Sequence, residues 1–595
     1  MPQDLDFHFA GFFPDEKVRP FAYLLSQSLR EGHICIAVSA ETEIKTPYGF
    51  ATLDLLNQVS DKMLSKKDTS TPFIFREGYL YLQRYYRYES NLVEQVMQRL
   101  DHSRKNKNDY QQKIEALSDL IKQQGADNDI NDLSIDEKID WQLIAVIRAL
   151  MNDFSIITGG PGTGKTTTLS KFLRILFTMH PGCNVALAAP TGKASMRMLE
   201  SLKEKSVVFP TEIQQQIQQL KPYTLHRLLG FQPQSIYFKH NAENPLPFDW
   251  VIVDEASMID LPLFSKLLSA CKPTTRLLLL GDQDQLASVE AGSLLGDLCA
   301  AAGKLNRFSK QENEWLNKFI PPAERQIPNT YSTPTRSSFL DCVTSLRFSH
   351  RFKERGSIGQ LSLSIINGNA DLAIQLLNTG QNQQIGLINE KYDHALIDFV
   401  KGYIQYMEEP EVEKALVEIN QLRVLVAVKE GDFGLHAINR KTEKILYSIR
   451  PDLIQPNSGF YHNRPVIVTK NNYELGLFNG DIGIVRKDPV TKHLKVYFEA
   501  EEKGKPCRSF TPASLSDCET VFAMTIHKSQ GSEFEKVMVI MPNQIDNPVL
   551  TRELLYTGVT RAKSYAYIMG TEEVLREGIL RQVVRLSGVH ERLVK

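Results

Sequence analysis

Two series of short, continuously apolar runs, each closed by Gly, Pro or an acidic pair and followed by a helix-like stretch, predict an α/β protein. Its core should be two parallel sheets covered on both faces. The first series is FSIIT (154–158), VALAA (185–189), WVIV (250–253) and RLLLL (276–280). The second is RVLVAV (423–428), VFAMT (521–525), KVMVI (536–540) and YAYIM (565–569). Within the second series stand PVIVT, DIGIVR and LKVYF (465–498), short runs with Gly and Asn turns that suit a small antiparallel barrel inserted at about 435–520.

At 595 residues the chain is too long for one core. Residues 1–110 mix helix and strand signals and are expected to form a small α+β N-terminal domain. PFAYLLSQSLREG (20–32) has helical spacing, HICIAVS (33–39) is strand-like, and GYLYLQRYYRY (78–88) alternates aromatic with polar residues, which favours a strand. That aromatic and basic mixture also fits a nucleic-acid surface; a sheet edge or subunit interface is the plainer reading. The polar stretch 101–138 marks a linker, placed at 111–138. The first sheet domain then spans 139–345, with a polar insertion at 303–340, and the second spans 346–595.

Composition excludes several classes. No apolar run approaches the ~18–20 residues of a membrane span, and the N-terminus lacks the basic flank and apolar stretch of a signal peptide. The expected location is cytoplasmic, with no membrane partner. Seven cysteines (35, 183, 271, 299, 342, 507, 518) show no CxxC pair, so neither a zinc site nor a disulfide framework is suggested. No carboxylate cluster with a lysine marks a nuclease. The formal net charge of −1 does not advertise nucleic acid. Binding it would need a local basic groove or help from partners.

The chemistry sits at the ends of the strands. GGPGTGKT (159–166) follows FSIIT and fits G-x4-G-K-[ST]. Gly159, Gly160, Pro161, Gly162, Thr163 and Gly164 would wrap backbone N–H groups around a phosphate, aided by the dipole of the helix that follows. Lys165 would reach the terminal phosphates of ATP, and Thr166 would ligate Mg²⁺. WVIVDEAS (250–257) delivers Asp254, for Mg²⁺, and Glu255, to polarise the attacking water, 89 residues after Lys165.

The ordered motifs resemble those of superfamily 1 helicases, in the DEAS version. Trp141-Gln142, with Gln142 lying 23 residues before Lys165, looks like the adenine-reading glutamine motif. APTGKA (189–194) and TLHRLLG (224–230) resemble the two loops that grip single-stranded DNA, GDQDQLASVEAG (281–292) the coupling motif, and SHRF (349–352) the fourth motif. AMTIHKSQGSEF (523–534) and LLYTGVTRAK (554–563) resemble the fifth and sixth. The resemblance implies two RecA-like motor domains with an SH3-like barrel in the second. Gln285 would sense the γ-phosphate, Arg351 would contact it, and Arg561 would be the arginine finger. DNA would lie on Pro190, Thr191, Thr224, His226, Thr525 and His527. His350 stands where relatives commonly carry a tyrosine that stacks on adenine; an imidazole can stack too.

More narrowly, GGPGTGKTTT, VDEASMIDLP, GDQDQLASVEAGSLLGDLC and AMTIHKSQGSEF are similar to the RecD family over nearly all of 135–570. This implies a 5′→3′ DNA helicase subunit of a RecBCD-type exodeoxyribonuclease V acting in double-strand break repair and recombination. Its partners would be RecB-like and RecC-like, with residues 1–110 as the docking domain. A stand-alone RecD-like helicase, and a P-loop ATPase that remodels RNA or protein, remain the alternatives. SIYFKHNAENPLP (235–247) is a candidate strand-separation hairpin, or else an ordinary surface loop.

Overall fold

A computed structural model describes residues 5–67, 69–125, 134–232, 235, 237–333, 338–347, 356–380, 384–390, 392–456, 459–472, 474–488, 490–500 and 507–594. The first apolar series forms a six-stranded parallel sheet. Its order is Val343–Ser345, Phe154–Thr158, Arg276–Gly281, Trp250–Val253, Val185–Ala189, Pro222–Thr224. Successive side chains alternate between two cores, as a doubly covered sheet requires. Ile156, Ala188, Val251 and Leu279 enter one core, while Ile157, Leu187, Ile252 and Leu280 enter the other. The second series forms a five-stranded parallel sheet, ordered Ile385–Ile388, Ala562–Met569, Phe534–Ile540, Leu422–Val426, Ala523–Thr525.

The inserted unit is a five-stranded antiparallel sheet. Its order is Arg508–Phe510, Leu494–Phe498, Ile482–Lys487, Pro465–Val468, Cys518–Thr520, and it carries its own core of Val466, Val485, Val496 and Phe498. It begins later than expected. Residues 435–449 form a helix, Leu435–Ile449, whose Leu435, Ile438 and Leu446 pack under the second parallel sheet.

Four boundaries need correction. Only Tyr79–Leu82 of the aromatic stretch is strand; Gln83–Lys105 is one helix. Its buried Glu89, Leu92, Val96 and Leu100 recur at three or four residues, and this longer pattern outweighs the short alternation at its start. The helix belongs to the first motor core, not to the N-terminal unit. That unit comprises the sheet Ile36–Ala37, Tyr79–Leu82, Phe73–Arg76, Leu64–Ser65 and the helix Arg19–Arg30.

The expected linker is also structured where it is described: helices Lys107–Glu115 and Ser118–Lys122 bury Ile114 and Ile121 in the first motor core. Residues 126–133 lie outside the described part. The polar insertion 303–340 hides apolar anchors, Phe308, Leu316, Phe319 and Ile327, in that same core. Finally, the chain does not end in the second motor. Residues 585–594 cross back, and Val589 and Leu593 pack beside Leu92 and Leu298 in the first. Among the described residues no helix is long and apolar enough to cross a membrane.

Candidate nucleotide site and nucleic-acid interface

The loop after Phe154–Thr158 turns sharply because Gly162 and Gly164 adopt φ of +77° and +85°, open to glycine at little cost. Helix Lys165–Met179 starts directly behind it. Lys165 Nζ donates to the carbonyls of Gly159 (2.6 Å) and Gly160 (3.2 Å), so the ammonium lies inside the loop. Gln142, on the first turn of helix Trp141–Met151, donates to the Thr163 carbonyl at 3.2 Å. A Cβ on Gly164 would stand 2.2 Å from its amide nitrogen, so the glutamine closes the loop from behind.

Asp254 and Glu255 end the strand Trp250–Val253. Burial, then the charge of Glu255, push the Asp254 carboxyl up to about 6, and Lys165 opposes them. Glu255 sits at φ +52°, in the left-handed region that non-glycine residues seldom occupy.

A cavity of about 310 Å³ lies between the two motors. Gly159, Gly160, Pro161 and Thr163 form one wall; Gly359, Ser362 and Leu363 of helix Ser357–Ile366, with Tyr556 and Thr560, form the other. Tyr556 was missed by sequence reasoning, although it lies five residues before Arg561. Its buried phenol donates to Asp282 Oδ2 (3.1 Å), and its oxygen comes within 2.8 Å of where a Cβ on Gly160 would stand. Burial and Asp282 hold its pKa well above the ordinary value. Gln285 Nε2 donates to the same Asp282 oxygen (3.0 Å), so this glutamine faces the second motor's tyrosine through one shared carboxylate. Nearby, Asp284 is raised to about 7 by burial, then by Asp282 and Glu553.

Three further contacts join the motors. Leu286 N donates to Thr557 Oγ1 (3.0 Å), Gln530 Nε2 donates to the Leu286 carbonyl (2.9 Å), and Arg197 Nη1 donates to the Gly531 carbonyl (2.7 Å). Arg561 is buried, one residue after Thr560 of that wall. Its guanidinium donates to the carbonyls of Thr557 (3.1 Å) and Ser532 (3.3 Å), not to the phosphate loop. His350 and Arg351 lie outside the described residues.

The residues expected on DNA sit at or just after strand ends. Thr191 and Thr224 follow adjacent strands of the first sheet, with Pro190 just before Thr191, and Thr525 ends an edge strand of the second. Each threonine hydroxyl caps its own following turn, accepting from Ala194 N (3.3 Å), Arg227 N (3.2 Å) and Lys528 N (3.3 Å). A strand of nucleic acid there would meet backbone groups and rings more than those hydroxyls. Burial lowers the pKa of both His226 and His527, leaving each a neutral ring at pH 7. The segment 235–247 contains no strand in its described part. Asn241–Asn244 is a turn, and Leu246 N bonds to the Ala270 carbonyl. Its polar turn signals outweigh its few apolar residues.

The C-terminal crossing rests on polar contacts as well as apolar ones. Arg585 Nη1 donates to the carbonyls of Glu290 and Gly292, Leu586 N to His33 Nδ1, and Ser587 Oγ to Asp297 Oδ2 (2.7 Å). Fully buried Glu89 accepts from Gly588 N (3.0 Å), Arg592 Nη1 (3.1 Å) and Tyr81 Oη (3.3 Å).

Residues 142–291 match the AAA domain family, and residues 520–569 match the UvrD-like helicase C-terminal domain family. The chain is 33% identical to RecBCD enzyme subunit RecD of Haemophilus influenzae over 87% of its own length and 80% of that protein. It is 32% identical to the same subunit of Mycolicibacterium smegmatis over 98% and 94%. The ATP-dependent RecD2 DNA helicase of Deinococcus radiodurans is 27% identical over 72% of this chain but only 48% of that protein. With both motors, the phosphate loop and this breadth of identity in place, the chain belongs to the RecD family of RecBCD enzyme subunits.

Proposed function

We propose that the chain is the ATP-dependent 5′→3′ DNA helicase subunit of a RecBCD-type helicase–nuclease, working with RecB-like and RecC-like subunits in the cytoplasm on broken duplex ends. One observation carries the reading. The phosphate loop of the first motor, with Gln283 and Asp284, faces Tyr556 and Thr560 of the second across a single cleft. The Gln283–Gly292 loop is bonded to the second motor beside it.

Lys165 turns from the loop carbonyls to the β- and γ-phosphates, and Gln142 holds the loop while reading adenine. Mg²⁺ would lie between Thr166 and Asp254, whose hydroxyl and carboxylate oxygens suit a hard cation; bound there, it neutralises charge on the phosphates. Glu255 orients the attacking water. Arg561 reaches the cleft only if its guanidinium leaves Thr557 and Ser532, so closure and hydrolysis are one event. Asp282 passes that closure from Tyr556 to Gln285, and so to the loops carrying Thr191, Thr224 and Thr525. Repeated closure moves the two gripping surfaces along the strand. His350 and Arg351 complete the nucleotide site. The antiparallel insertion, read as an SH3-like barrel, lies over this path, since a Cβ on Gly192 would stand 2.7 Å from the Phe478 ring.

Nuclease activity is assigned to a partner. The RecD reading is favoured over the stand-alone one because the chain spans 80% and 94% of the RecD relatives but about half of RecD2. Co-purification from the native host, followed by unwinding of duplexes with 5′ or 3′ tails, tests both points. A monomer that unwinds long duplex processively and binds no RecB or RecC homologue would overturn the subunit reading. Loss of DNA-stimulated ATP hydrolysis from the intact chain would overturn the motor.

A further inference from the structure

Helix Gln83–Lys105 opens with the aromatic and basic residues for which the sequence favours a sheet edge or subunit interface over a nucleic-acid surface. The fold divides them. The inner side of the helix packs along helix Leu261–Ala270, where Asn91 Nδ2 donates to the Ser265 carbonyl and to Ser269 Oγ. At its start Arg84 is exposed, and its guanidinium lies 5.5 Å from the Tyr88 ring centre with Nε on the hydroxyl at 2.8 Å. From the same supporting helix, Lys266 Nζ reaches over the Phe238 ring at 5.2 Å. Phe238 in turn stands edge-on to His226, centroids 5.8 Å apart, and His226 also meets Phe231 at 6.5 Å.

The outer members of this group are open to solvent. Tyr237 is 73% exposed and Phe231 54%. Tyr237 also acts electrostatically on Arg84, which sets these two side chains in one neighbourhood. Asp260, the acidic group nearest His226, is engaged in capping its own helix at Leu263 N (2.6 Å).

Rings left in water beside cations, in a chain whose net charge is −1, form the local basic and aromatic surface that the bulk charge does not announce. We infer that Arg84, Tyr88, Phe231, Tyr237, Phe238 and Lys266 form an accessory single-stranded DNA subsite continuing the strand path beyond His226. The occupant is nucleic acid because the surface is continuous with the His226 loop and because cation and ring suit phosphate and base together. The inference rests on the proposal that this loop holds the strand. Bases leaving His226 stack on Tyr237 and Phe231 while Arg84 and Lys266 pair with phosphates. The N-terminal helix is thereby part of the motor's track.

The test uses the full chain, alone and in its native complex, with labelled oligothymidylates of about 8 and about 24 nucleotides, one within and one beyond the ~4–16 nucleotides held by a single binding fold. Tyr237→Ala should weaken the long probe by about tenfold and the short one far less, and Tyr237→Phe should restore it. Arg84→Gln should lower the salt slope for the long probe by about 0.7. Unchanged affinity for the long probe, or equal loss at both lengths, would overturn the subsite. So would variants that keep both affinities but release the partner subunits, which would make the patch a protein-docking surface. Failure of the unaltered chain to bind the short probe would instead remove the underlying reading of the His226 loop.

Discussion

Two of the places where the motors meet are built on opposite principles. At the nucleotide cleft they face each other across a cavity of about 310 Å³ and touch through a few polar bonds: Tyr556 to Asp282, Leu286 to Thr557 and Gln530 to Leu286. At the C-terminal crossing, Val589 and Leu593 are 2% exposed inside the first motor's core, and Glu89 is fully buried with three donors around it. The cleft bonds are few and border an open cavity from which water can replace a lost partner, whereas a packed apolar contact around a paired charge has no such replacement. One junction is suited to open on each cycle, and the other to hold while it does.

The sharpest way to break this contrast is beside the cleft's far wall. Arg561→Ala should leave nucleotide binding in place and reduce turnover about 10³–10⁵-fold; normal hydrolysis would show that the second motor completes no site. Lys165→Gln comes next, with an expected loss of about 10²–10³ in DNA-stimulated hydrolysis and no shift of the urea midpoint. Turnover within about tenfold of the unaltered chain, ~1.4 kcal/mol in barrier, would remove the phosphate-loop assignment.

Variants at the crossing should do the reverse. Glu89→Ala leaves Arg592 without its carboxylate and should cost about 3 kcal/mol of stability, read by urea unfolding, with KM for ATP unchanged. A shifted KM with unchanged stability would exchange the roles of the two junctions.

The last effect is a pH signature. Burial, ahead of the Ser587 bond that opposes it, raises Asp297 to about 7 from an ordinary 3.8. The folded state therefore binds the extra proton between about pH 4 and pH 7. Stability falls as pH rises through that window, and the cost is complete above 7. Asp297→Asn should flatten the decline and raise the melting midpoint slightly at pH 8. A midpoint that keeps its full pH dependence in this variant would remove Asp297 from the account.

The contrast also shows what could be read before folding. Strands such as Phe154–Thr158, Val185–Ala189 and Trp250–Val253 were legible to the residue, because a strand buried on both faces needs an unbroken apolar run and its local sequence says so. The phosphate loop and Asp254–Glu255 were legible for a related reason, being continuous in the chain. Tyr556 was not, since its importance lies in Asp282 and Gly160, hundreds of residues away. Helix Gln83–Lys105 was misread because three tyrosines over a few residues fit either period, and only Leu92, Val96 and Leu100 further on decide. The crossing was invisible. Val589 and Leu593 are scattered apolar residues in a tail rich in charge, and nothing local says that their partners lie near residue 92.

That crossing sets an order of assembly. The core of the first motor contains Tyr81, Leu92, Phe154, Val251 and Leu279, but also Val589 and Leu593. Domains of nascent chains commonly fold in the order in which they are synthesised. Here the first motor to emerge waits for residues made after the whole of the second before its core is complete. Until then a patch around Leu92 and Leu298 stays uncovered, open to a chaperone or to another subunit of the assembly. A ribosome stalled before residue 589 would display a motor with its nucleotide loop formed and this patch still bare.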